Sequence, residues 1–441
     1  MSMAIFLQFG VVLAAIWMGA RSMGVGLGLW GAVGLLVLVV GFGVNPTSPP
    51  IDVMLIILAV IMAASVMDAA GGIDYLVRIA ERIIRANPKH VTIVAPLTTW
   101  TFTFLAGTGH IVYPLLPVIY ETAHQNGIRP ERPMAVATIA SQQAITASPV
   151  AAATAAMIGL FAEKGMADWG LAQILMICVP ATLTGVVAAA IISMFMGKDL
   201  KDDQVYQARL KAGLIPRPAA PEARPPLKGS ARLSAMIFLS GVALVVLFGF
   251  FPSLRTLPGA KAALGMPIVI EIVMMSVAAL MLLATRVDVD DVPKTATLRA
   301  GVVAVIGIFG LAWLGDSFIS ANKAVIVPAI GEWAQAAPWT FAFGLFFASV
   351  LLYSQAATTR ALMPLGVTLG IPPQFLIAMF PSVNGYFFIP TYGSLIAAIN
   401  FDLSGTTKIG KYVLNHSFMI PGLVATSVAV FTGLLIAQAI F

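Results

Sequence analysis

The chain has 441 residues, of which 59% are hydrophobic and 10% are charged, and its formal net charge is +6. Soluble globular domains carry about 25% charged residues, so this composition excludes a soluble protein and indicates an integral membrane protein. The excess of Lys and Arg reflects where basic residues lie relative to a membrane, and it does not predict a nucleic-acid partner.

Apolar runs that are long enough to span a bilayer recur along the whole sequence. Their hydrophobic period is helical, and no segment alternates as the strands of a membrane barrel do. The first run is too long for a cleaved secretion signal and is not followed by a small-residue cleavage site. The sequence therefore predicts an all-α polytopic membrane protein. The predicted spans are roughly residues 3–20, 24–43, 51–70, 169–196, 233–251, 265–285, 298–314 and 412–440.

The longest polar stretch, residues 197–232, divides the chain into halves at residues 1–196 and 233–441. It is rich in Lys and Arg, and in proline between Pro216 and Pro226. This composition predicts a flexible tether on the cytoplasmic side of the membrane. The other basic clusters then also fall on the cytoplasmic side, as the positive-inside rule requires, and both termini are expected in the periplasm. Those clusters are Arg21 and residues 78–89, 286–299 and 408–411.

Two segments are polar where a membrane span should be apolar. Ser141–Pro149 and Ser382–Pro390 each lie between apolar runs. Polar or unwound backbone is tolerated in a bilayer only where it is buried in protein or lines a watery cavity. In secondary transporters, two helices that are interrupted at corresponding points of two halves commonly form the substrate site. The sequence therefore predicts a carrier with broken spans at residues 132–163 and 373–400.

Each half also contains a candidate re-entrant hairpin, at residues 90–125 and 338–368. The predicted tips are Gly107–Gly109 and Ser354–Arg360, because glycine and short hydroxyl residues permit a tight reversal and cap helix starts. The first hairpin could instead be one ordinary helix kinked by its glycines and prolines. The segment 73–86 before it is apolar with arginines on one side, which is typical of an interfacial helix.

Comparison of the halves predicts an inverted-topology repeat. The hairpin tips align at an offset of 250 residues, which pairs Thr108–His110 with Thr358–Arg360. The breaks align at an offset of 241 residues. A rival register, at an offset of 213, places Ser141–Thr146 on Ser354–Thr359 and would make the halves parallel. The sequence favours the first register but leaves the second open.

Hairpin tips and helix breaks predict an anion site, because free N–H groups and a partial positive charge lie at helix N-termini. Two such pairs could hold two anionic groups, and a dicarboxylate fits that arrangement. Arg360 is the predicted main charge partner, since a guanidinium can bind a carboxylate through two parallel hydrogen bonds. Alternatively, Arg360 snorkels at the membrane surface. His110 could donate to the second carboxylate, titrate near neutral pH or serve only in packing.

Hydroxyl and amide groups at the tips and breaks complete the predicted site. They could bind substrate oxygens or satisfy backbone carbonyls freed by the breaks. Asp68 and Asp316, at span ends, are predicted to cap helices or to form a conformational salt bridge. The predicted binding set is Thr108, Gly109, His110, Ser141, Gln142, Gln143, Thr146, Ser148, Ser354, Gln355, Thr358, Thr359, Arg360, Ser382, Asn384 and Tyr386.

The sequence also excludes several kinds of chemistry. It contains no nucleotide-binding loop, metal-ligand set or nucleophile elbow, so neither an ATP-driven pump nor an enzyme is predicted, and no cofactor is expected. The single cysteine, Cys178, lies in a spanning run and excludes a disulfide framework. The scarcity of carboxylates within the spans argues against a mechanism coupled to several sodium ions.

Three motifs carry a resemblance to a known family. Leu105–Pro117, Ser141–Pro149 and Phe401–Gly410, with Asn415–His416 behind the last, resemble the anaerobic C4-dicarboxylate transporter (Dcu) family. The resemblance implies a bacterial inner-membrane carrier that exchanges external fumarate, malate or aspartate for internal succinate. It also implies a homodimer with an ion-transporter-superfamily fold, in which a transport domain moves like an elevator against a scaffold. That transport domain would contain both hairpins and both broken spans, and the scaffold would contain the flanking spans, including residues 24–43, 233–251 and 265–285.

Two alternatives are compatible with the same fold. One is a proton- or sodium-coupled dicarboxylate symporter, and the other is a dicarboxylate-binding co-sensor with a sensor kinase as partner. Membrane lipid is an expected partner in every case. Obligatory exchange would follow if the empty, positively charged site resisted crossing the bilayer and the loaded, neutralised site did not.

Overall fold

The computed structural model describes residues 3–22, 24–166, 168–215, 226–260 and 262–441. Secondary structure in this part of the chain is helical, apart from one isolated antiparallel bridge between Ile409 and His416. The helices of the first half are α1 (Met3–Ser22), α2 (Gly26–Phe42), α3 (Ile51–Ala69), α4 (Gly72–Ala86), α5 (Val91–Ala106), α6 (Val112–Gln125), α7 (Glu131–Gln143), α8 (Ala152–Glu163) and α9 (Leu171–Met194).

The second half repeats this order of elements. A short helix, α10 (Gln204–Lys211), lies between the halves. The helices after it are α11 (Ala231–Phe250), α12 (Met266–Thr285), α13 (Ala296–Gly307), α14 (Trp313–Ala336), α15 (Phe341–Leu352), α16 (Gln355–Thr368), α17 (Pro373–Met379), α18 (Gly393–Phe401) and α19 (Met419–Ile440).

The predicted all-helical membrane fold is confirmed. Six helical segments of the described chain are long and apolar enough to cross a membrane. One of them, Ala296–Ile326, runs through α13 and α14 by way of a π-helical turn at Ile308–Ala312. The last span begins at Met419, because the preceding residues 412–418 form a loop. The other four are α3, α9, α11 and α12.

Within the candidate hairpin at residues 90–125, the chain forms two helices, Val91–Ala106 and Val112–Gln125, rather than one kinked helix. Gly107 ends α5 in the left-handed conformation with φ 71°, and the extended Thr108 begins the next helical turn. The second candidate hairpin turns in the same way. Tyr353 ends α15 in the left-handed conformation with φ 50°, and the extended Ser354 precedes α16. Thr108 and Ser354 are therefore equivalent, and neither predicted register of the halves pairs them.

Arg360 consequently lies within a helix rather than at the second tip. The prediction extended the tip from Ser354 to Arg360, but the Ser354 hydroxyl caps α16 and helix begins at Gln355. Helix-compatible residues then continue the helix past Arg360, which lies in its second turn. The position predicted to match His110 is thus not at a turn.

Both predicted broken spans are interrupted where the polar segments lie. The first is α7, a 3₁₀ turn at Ala144–Thr146 and then α8. The second is α17, a 3₁₀ segment at Phe380–Phe387 and then α18. Pro149 and Pro390 lie in the breaks, where the missing N–H of proline prevents a continuous ladder of helix hydrogen bonds.

Apolar packing divides into two large clusters. One unites α1, α2 and α14 with Leu352 and Ala357 from the second tip, and the other contains most of the remaining helices. The π-helical turn approaches α2 so closely that a Cβ on Gly310 would meet the Gly28 carbonyl. Glycine at this crossing allows the two backbones to touch, as in tightly packed membrane helices. We refer to α1, α2 and α14, together with α13, which continues into α14 through the π-helical turn, as the outer unit.

Part of the polar stretch between the halves, which the sequence predicts to be a flexible tether, forms the helix α10. Asp203 caps α10 and also accepts a hydrogen bond from Arg129 at 2.6 Å. Arg129 pairs with Glu131 as well, and Arg209 of α10 donates to the Ser404 carbonyl. These contacts dock α10 on the loops after α6 and α18. The proline-rich part, residues 216–225, lies outside the described residues.

We expect this docking to survive mild acid. Loss of solvent alone would raise the pKa of Asp203, but hydrogen bonds from Arg129 and from the Tyr206 backbone outweigh it and lower the pKa. The docking is then fully present above about pH 3.9, the ordinary pKa of aspartate, and is lost only as pH falls through the lowered value. Cleavage within α10 by an acid-tolerant protease should therefore stay slow from about pH 8 to about pH 5.

The matched variant for this prediction is Asp203→Asn. It removes the titrating charge but preserves the shape of the side chain, so α10 should be cleaved faster at every pH. Equal cleavage of the two proteins at neutral pH would show that the pair with Arg129 does not hold the helix.

Candidate functional site

A cavity of about 740 Å³ lies where the hairpin tips meet the first break. Its wall is completed by α2, α3 and α13 and by the residues just before α18. Of the predicted binding residues, six line this cavity. They are Thr108, Gly109, His110, Gln142, Ser354 and Gln355.

Each tip presents a hydroxyl that is available to donate. The Thr108 oxygen accepts the His110 backbone N–H at 3.3 Å, and the Ser354 oxygen accepts the Ala357 backbone N–H at 3.2 Å. Within the described residues neither hydroxyl donates a hydrogen bond, so both protons can be given to a ligand oxygen. Helix N-termini begin at the same two points and favour negative charge.

A chain of side-chain amides lies behind the tips. Gln355 Nε2 donates to Gln142 Oε1 at 2.9 Å and to Asn384 Oδ1 at 3.1 Å. Asn384 Nδ2 donates in turn to Gln143 Oε1 at 3.3 Å, and Gln143 Nε2 donates to Thr426 at 2.8 Å. This amide chain joins the second hairpin, both breaks and α19. It fixes the positions of the polar groups relative to one another.

One arginine contributes to the cavity lining. Arg299, near the start of α13, lines it, and no Asp or Glu occurs among the described residues of its lining. The sequence analysis placed Arg299 only in a cytoplasmic basic cluster. Parallel packing of α13 on α2, with Gly28 against the Ile306 carbonyl, brings its first turn to the cavity. Close by, Thr297 donates to Asp68 at 2.7 Å.

Aromatic side chains at the cavity were also not predicted. Tyr113 stacks on His110 with ring centroids 5.8 Å apart, and Tyr353 stacks on Tyr392 at 6.3 Å. The Tyr353 hydroxyl bonds to Thr391 at 2.6 Å, beside the start of α18. For two of these tyrosines the sequence offered a signal, because Tyr113 precedes Pro114 and Tyr392 follows Pro390 by two residues.

Most of the other predicted residues lie behind the cavity wall and are bonded to backbone. Their hydroxyls donate to backbone carbonyl oxygens, in most cases three or four residues earlier in the same helical segment. The acceptor is Thr138 for Ser141 and Tyr386, Gln143 for Thr146, Phe104 for Ser148, Ser354 for Thr358, Gln355 for Thr359 and Met379 for Ser382.

Arg360 is placed away from the cavity lining. Its side chain is 1% exposed and is bound by two carboxylates, Glu163 at 3.0 Å and Asp316 at 3.4 Å. Burial with paired carboxylates excludes a snorkelling role at the membrane surface. Its charge is already balanced within the protein, so the predicted role of main charge partner for substrate loses its electrostatic basis. Asp316 takes part in a salt bridge, one of its two predicted roles.

A comparison with protein-family models decides the family. The model described as anaerobic C4-dicarboxylate membrane transporter matches residues 4–441. The chain belongs to this family. It is therefore a membrane transporter and not an enzyme, and the resemblance noted in the sequence is confirmed.

Named members of the family are similar along their whole length. The C4-dicarboxylate transporter DcuA of Wolinella succinogenes is 42% identical over 427 residues, which cover 97% of this chain and 98% of that protein. DcuA of Escherichia coli strain K12 is 42% identical over 429 residues, with the same coverage. The anaerobic C4-dicarboxylate transporter DcuB of Escherichia coli O157:H7 is 38% identical over 445 residues, covering 98% of each chain.

Solved structures share the fold at low identity. The YdaH transporter of Alcanivorax borkumensis superposes with a TM-score of 0.61 at 12% identity, covering 95% of this chain and 98% of that one. MtrF of Neisseria gonorrhoeae gives a TM-score of 0.50 at 12% identity, covering 92% and 84%. The family therefore shares its fold with transporters whose sequences are very different.

Proposed function

We propose that this protein exchanges C4-dicarboxylates across the bacterial inner membrane, taking up fumarate, malate or aspartate and releasing succinate. The observation that carries the proposal is the cavity, which combines Arg299 with donors at two helix N-termini and has no described carboxylate in its lining. A dianion with two carboxylate groups matches this arrangement. One carboxylate would bind at Thr108 and the other at Ser354, with His110, Gln142 and Gln355 beside them.

The position of the cavity also indicates a state of the transport cycle. It reaches the N-terminal ends of α2 and α13, where Gly24 and Arg299 lie. In the orientation given by the positive-inside rule, this end is cytoplasmic and both chain termini are periplasmic. We infer an inward-open state of an elevator, in which the hairpins and broken spans would move against the outer unit. A homodimer and a sensor-kinase partner remain predictions from the resemblance.

Exchange is tested by uptake of labelled fumarate into proteoliposomes without any ion gradient. We expect uptake into vesicles preloaded with succinate and none into empty vesicles. Uptake into empty vesicles that requires an imposed proton or sodium gradient would instead establish a symporter. Fumarate binding without transport under either condition would favour the co-sensor.

Arg299 is expected to raise the affinity for substrate at the cytoplasmic side. Replacing it with glutamine removes the positive charge from the cavity, and charge-assisted hydrogen bonds contribute about 1.5–3 kcal/mol. We expect Arg299→Gln to weaken fumarate binding by roughly 10- to 100-fold. Isothermal titration of the purified transporter measures the change.

The control is Arg232→Gln, which removes an exposed arginine at the start of α11 that is not part of the cavity lining. It should leave binding unchanged. Equal effects of the two variants would indicate a general surface-charge effect rather than a contact in the cavity.

A further inference from the structure

Arg360 joins two carboxylates that lie on different parts of the fold. Its Nη1 bonds to Glu163 Oε2 and its Nη2 to Asp316 Oδ2. The Asp316 side chain is 10% exposed and the Glu163 side chain is 26% exposed, so Asp316 lies deeper. Among the arginines in the ion pairs of the described residues, Arg360 is the most deeply buried.

Two members of the group belong with the binding site. Arg360 is on α16, whose first turn carries Ser354 and Gln355 into the cavity. Glu163 is the last residue of α8, which follows directly from the first break, and Ala152 and Ala153 at the start of α8 line the cavity. The Arg360–Glu163 pair therefore fastens the second hairpin to the helix after the first break.

The third member belongs to the outer unit. Asp316 is on α14, and its neighbours Leu314 and Phe318 pack into the apolar cluster formed with α1 and α2. Arg360–Asp316 is thus an ion pair between the second hairpin and the outer unit. Of the two pairs it is the longer, at 3.4 Å against 3.0 Å.

The charges allow the longer pair to separate. Arg360 stays neutralised by Glu163 after it leaves Asp316. Lys164, the residue after Glu163, is a further positive charge that acts on both carboxylates. A hairpin that moves away from the outer unit then carries a paired arginine, which avoids the cost of an isolated charge in an apolar surrounding. Asp316 is the partner left behind.

We propose that Arg360 is a positioning residue whose ion pair with Asp316 holds the second hairpin against the outer unit and so keeps the cavity open at the start of α13. Glu163 is its constant partner, and Asp316 is its partner in this state only. The proposal rests on the proposed function in one respect, that the hairpin moves during transport.

Two isosteric variants separate the two pairs. Asp316→Asn removes the pair with the outer unit, and Glu163→Gln removes the pair within the site. The reporter is Ala304→Cys, on the α13 wall of the cavity, in a protein whose native thiol is removed by Cys178→Ala. The rate at which a water-soluble maleimide labels this introduced thiol in detergent, without substrate, measures how open this side is.

We expect Asp316→Asn to slow labelling at least threefold, and Glu163→Gln to change it less than twofold. Asp316→Glu keeps the carboxylate and should restore the original rate. If Asp316→Asn does not fold, Arg360→Lys replaces it, because a single ammonium cannot bridge both carboxylates in the geometry of a guanidinium; the same slowing is expected.

Unchanged labelling in Asp316→Asn, or equal slowing by both carboxylate variants, would overturn the proposal. A purely structural role predicts a lower unfolding temperature with no change in the labelling rate, and both are measured on each variant. Failure of the proposed function is visible separately, since it appears as absent exchange in vesicles while the labelling comparison is made without transport.

Discussion

Replacement of Gln355 by leucine is expected to reduce dicarboxylate transport by at least about 30-fold while the protein stays folded. Gln355 Nε2 is shared between Gln142 Oε1 and Asn384 Oδ1, so the change leaves two amide oxygens without their donor. Each buried polar group left unpaired costs about 1–3 kcal/mol, so the two together cost about 2–6 kcal/mol. A share of roughly 2 kcal/mol that falls on the substrate-bound conformation corresponds to the 30-fold effect.

The effect on transport should exceed the effect on folding. The side chain of Gln355 is only partly buried at the cavity, so leucine fits there without a clash. What changes is the alignment of the second hairpin with the two breaks, because Gln355 is the donor that joins them. Initial rates of fumarate uptake in proteoliposomes, compared at equal amounts of folded protein, measure the loss.

Gln207→Leu is the matched control for Gln355→Leu. Gln207 donates one side-chain hydrogen bond, to the Leu200 carbonyl at 2.8 Å, and it lies on α10, outside the cavity lining. Transport by this variant should remain within about twofold of the parent protein. A Gln355→Leu protein with normal uptake would show that the amide chain does not organise the site.

The order of elements could be predicted because local residue types determine it. Gly107 marks the first turn because glycine readily adopts the left-handed conformation that ends a helix. Pro149 and Pro390 mark the breaks because proline lacks the N–H that a continuous helix requires. Polar residues inside long apolar runs indicated that the breaks are enclosed by protein. These signals need no knowledge of distant contacts, so the sequence alone carries them.

The partner of a buried charge could not be predicted in the same way. Glu163 lies 197 positions from Arg360 and Asp316 lies 44 positions away. The sequence shows that a charge occurs within a span, which points to function, but it does not show whether the charge meets substrate or a carboxylate of the protein. Arg299 shows the opposite outcome, because the sequence did not place it in the site but it lines the cavity. Its position there depends on how α13 packs on α2.

The similarity between Ser141–Thr146 and Ser354–Thr359 has a structural meaning that the alignment did not suggest. The residues at this offset of 213 include Gln142 and Gln355, which are hydrogen-bonded to each other across the site. The similar segments are therefore neighbours in space. Gln142, Ser354 and Gln355 line the same cavity, whereas the other polar residues of the two segments lie outside its lining.

Gly107→Ala is expected to lower the free energy of unfolding by roughly 2–5 kcal/mol and to abolish transport. Gly107 has φ 71°, and the left-handed conformation costs other residues about 1–2 kcal/mol. A Cβ there would also lie 2.5 Å from the Val150 carbonyl oxygen, so the first hairpin would have to move away from the first break. Such overpacking costs about 1–3 kcal/mol more.

Gly127→Ala separates these two contributions. Gly127 has φ 70°, nearly the same backbone conformation, but a Cβ there would meet nothing within 4 Å. Its variant should therefore lose only about 1–2 kcal/mol and keep its transport rate.

Thermal unfolding in detergent and fumarate uptake are compared for both proteins. Equal losses would mean that backbone conformation alone makes Gly107 necessary. A larger loss for Gly107→Ala would show that contact between the tip and Val150, both of which line the cavity, holds the site together.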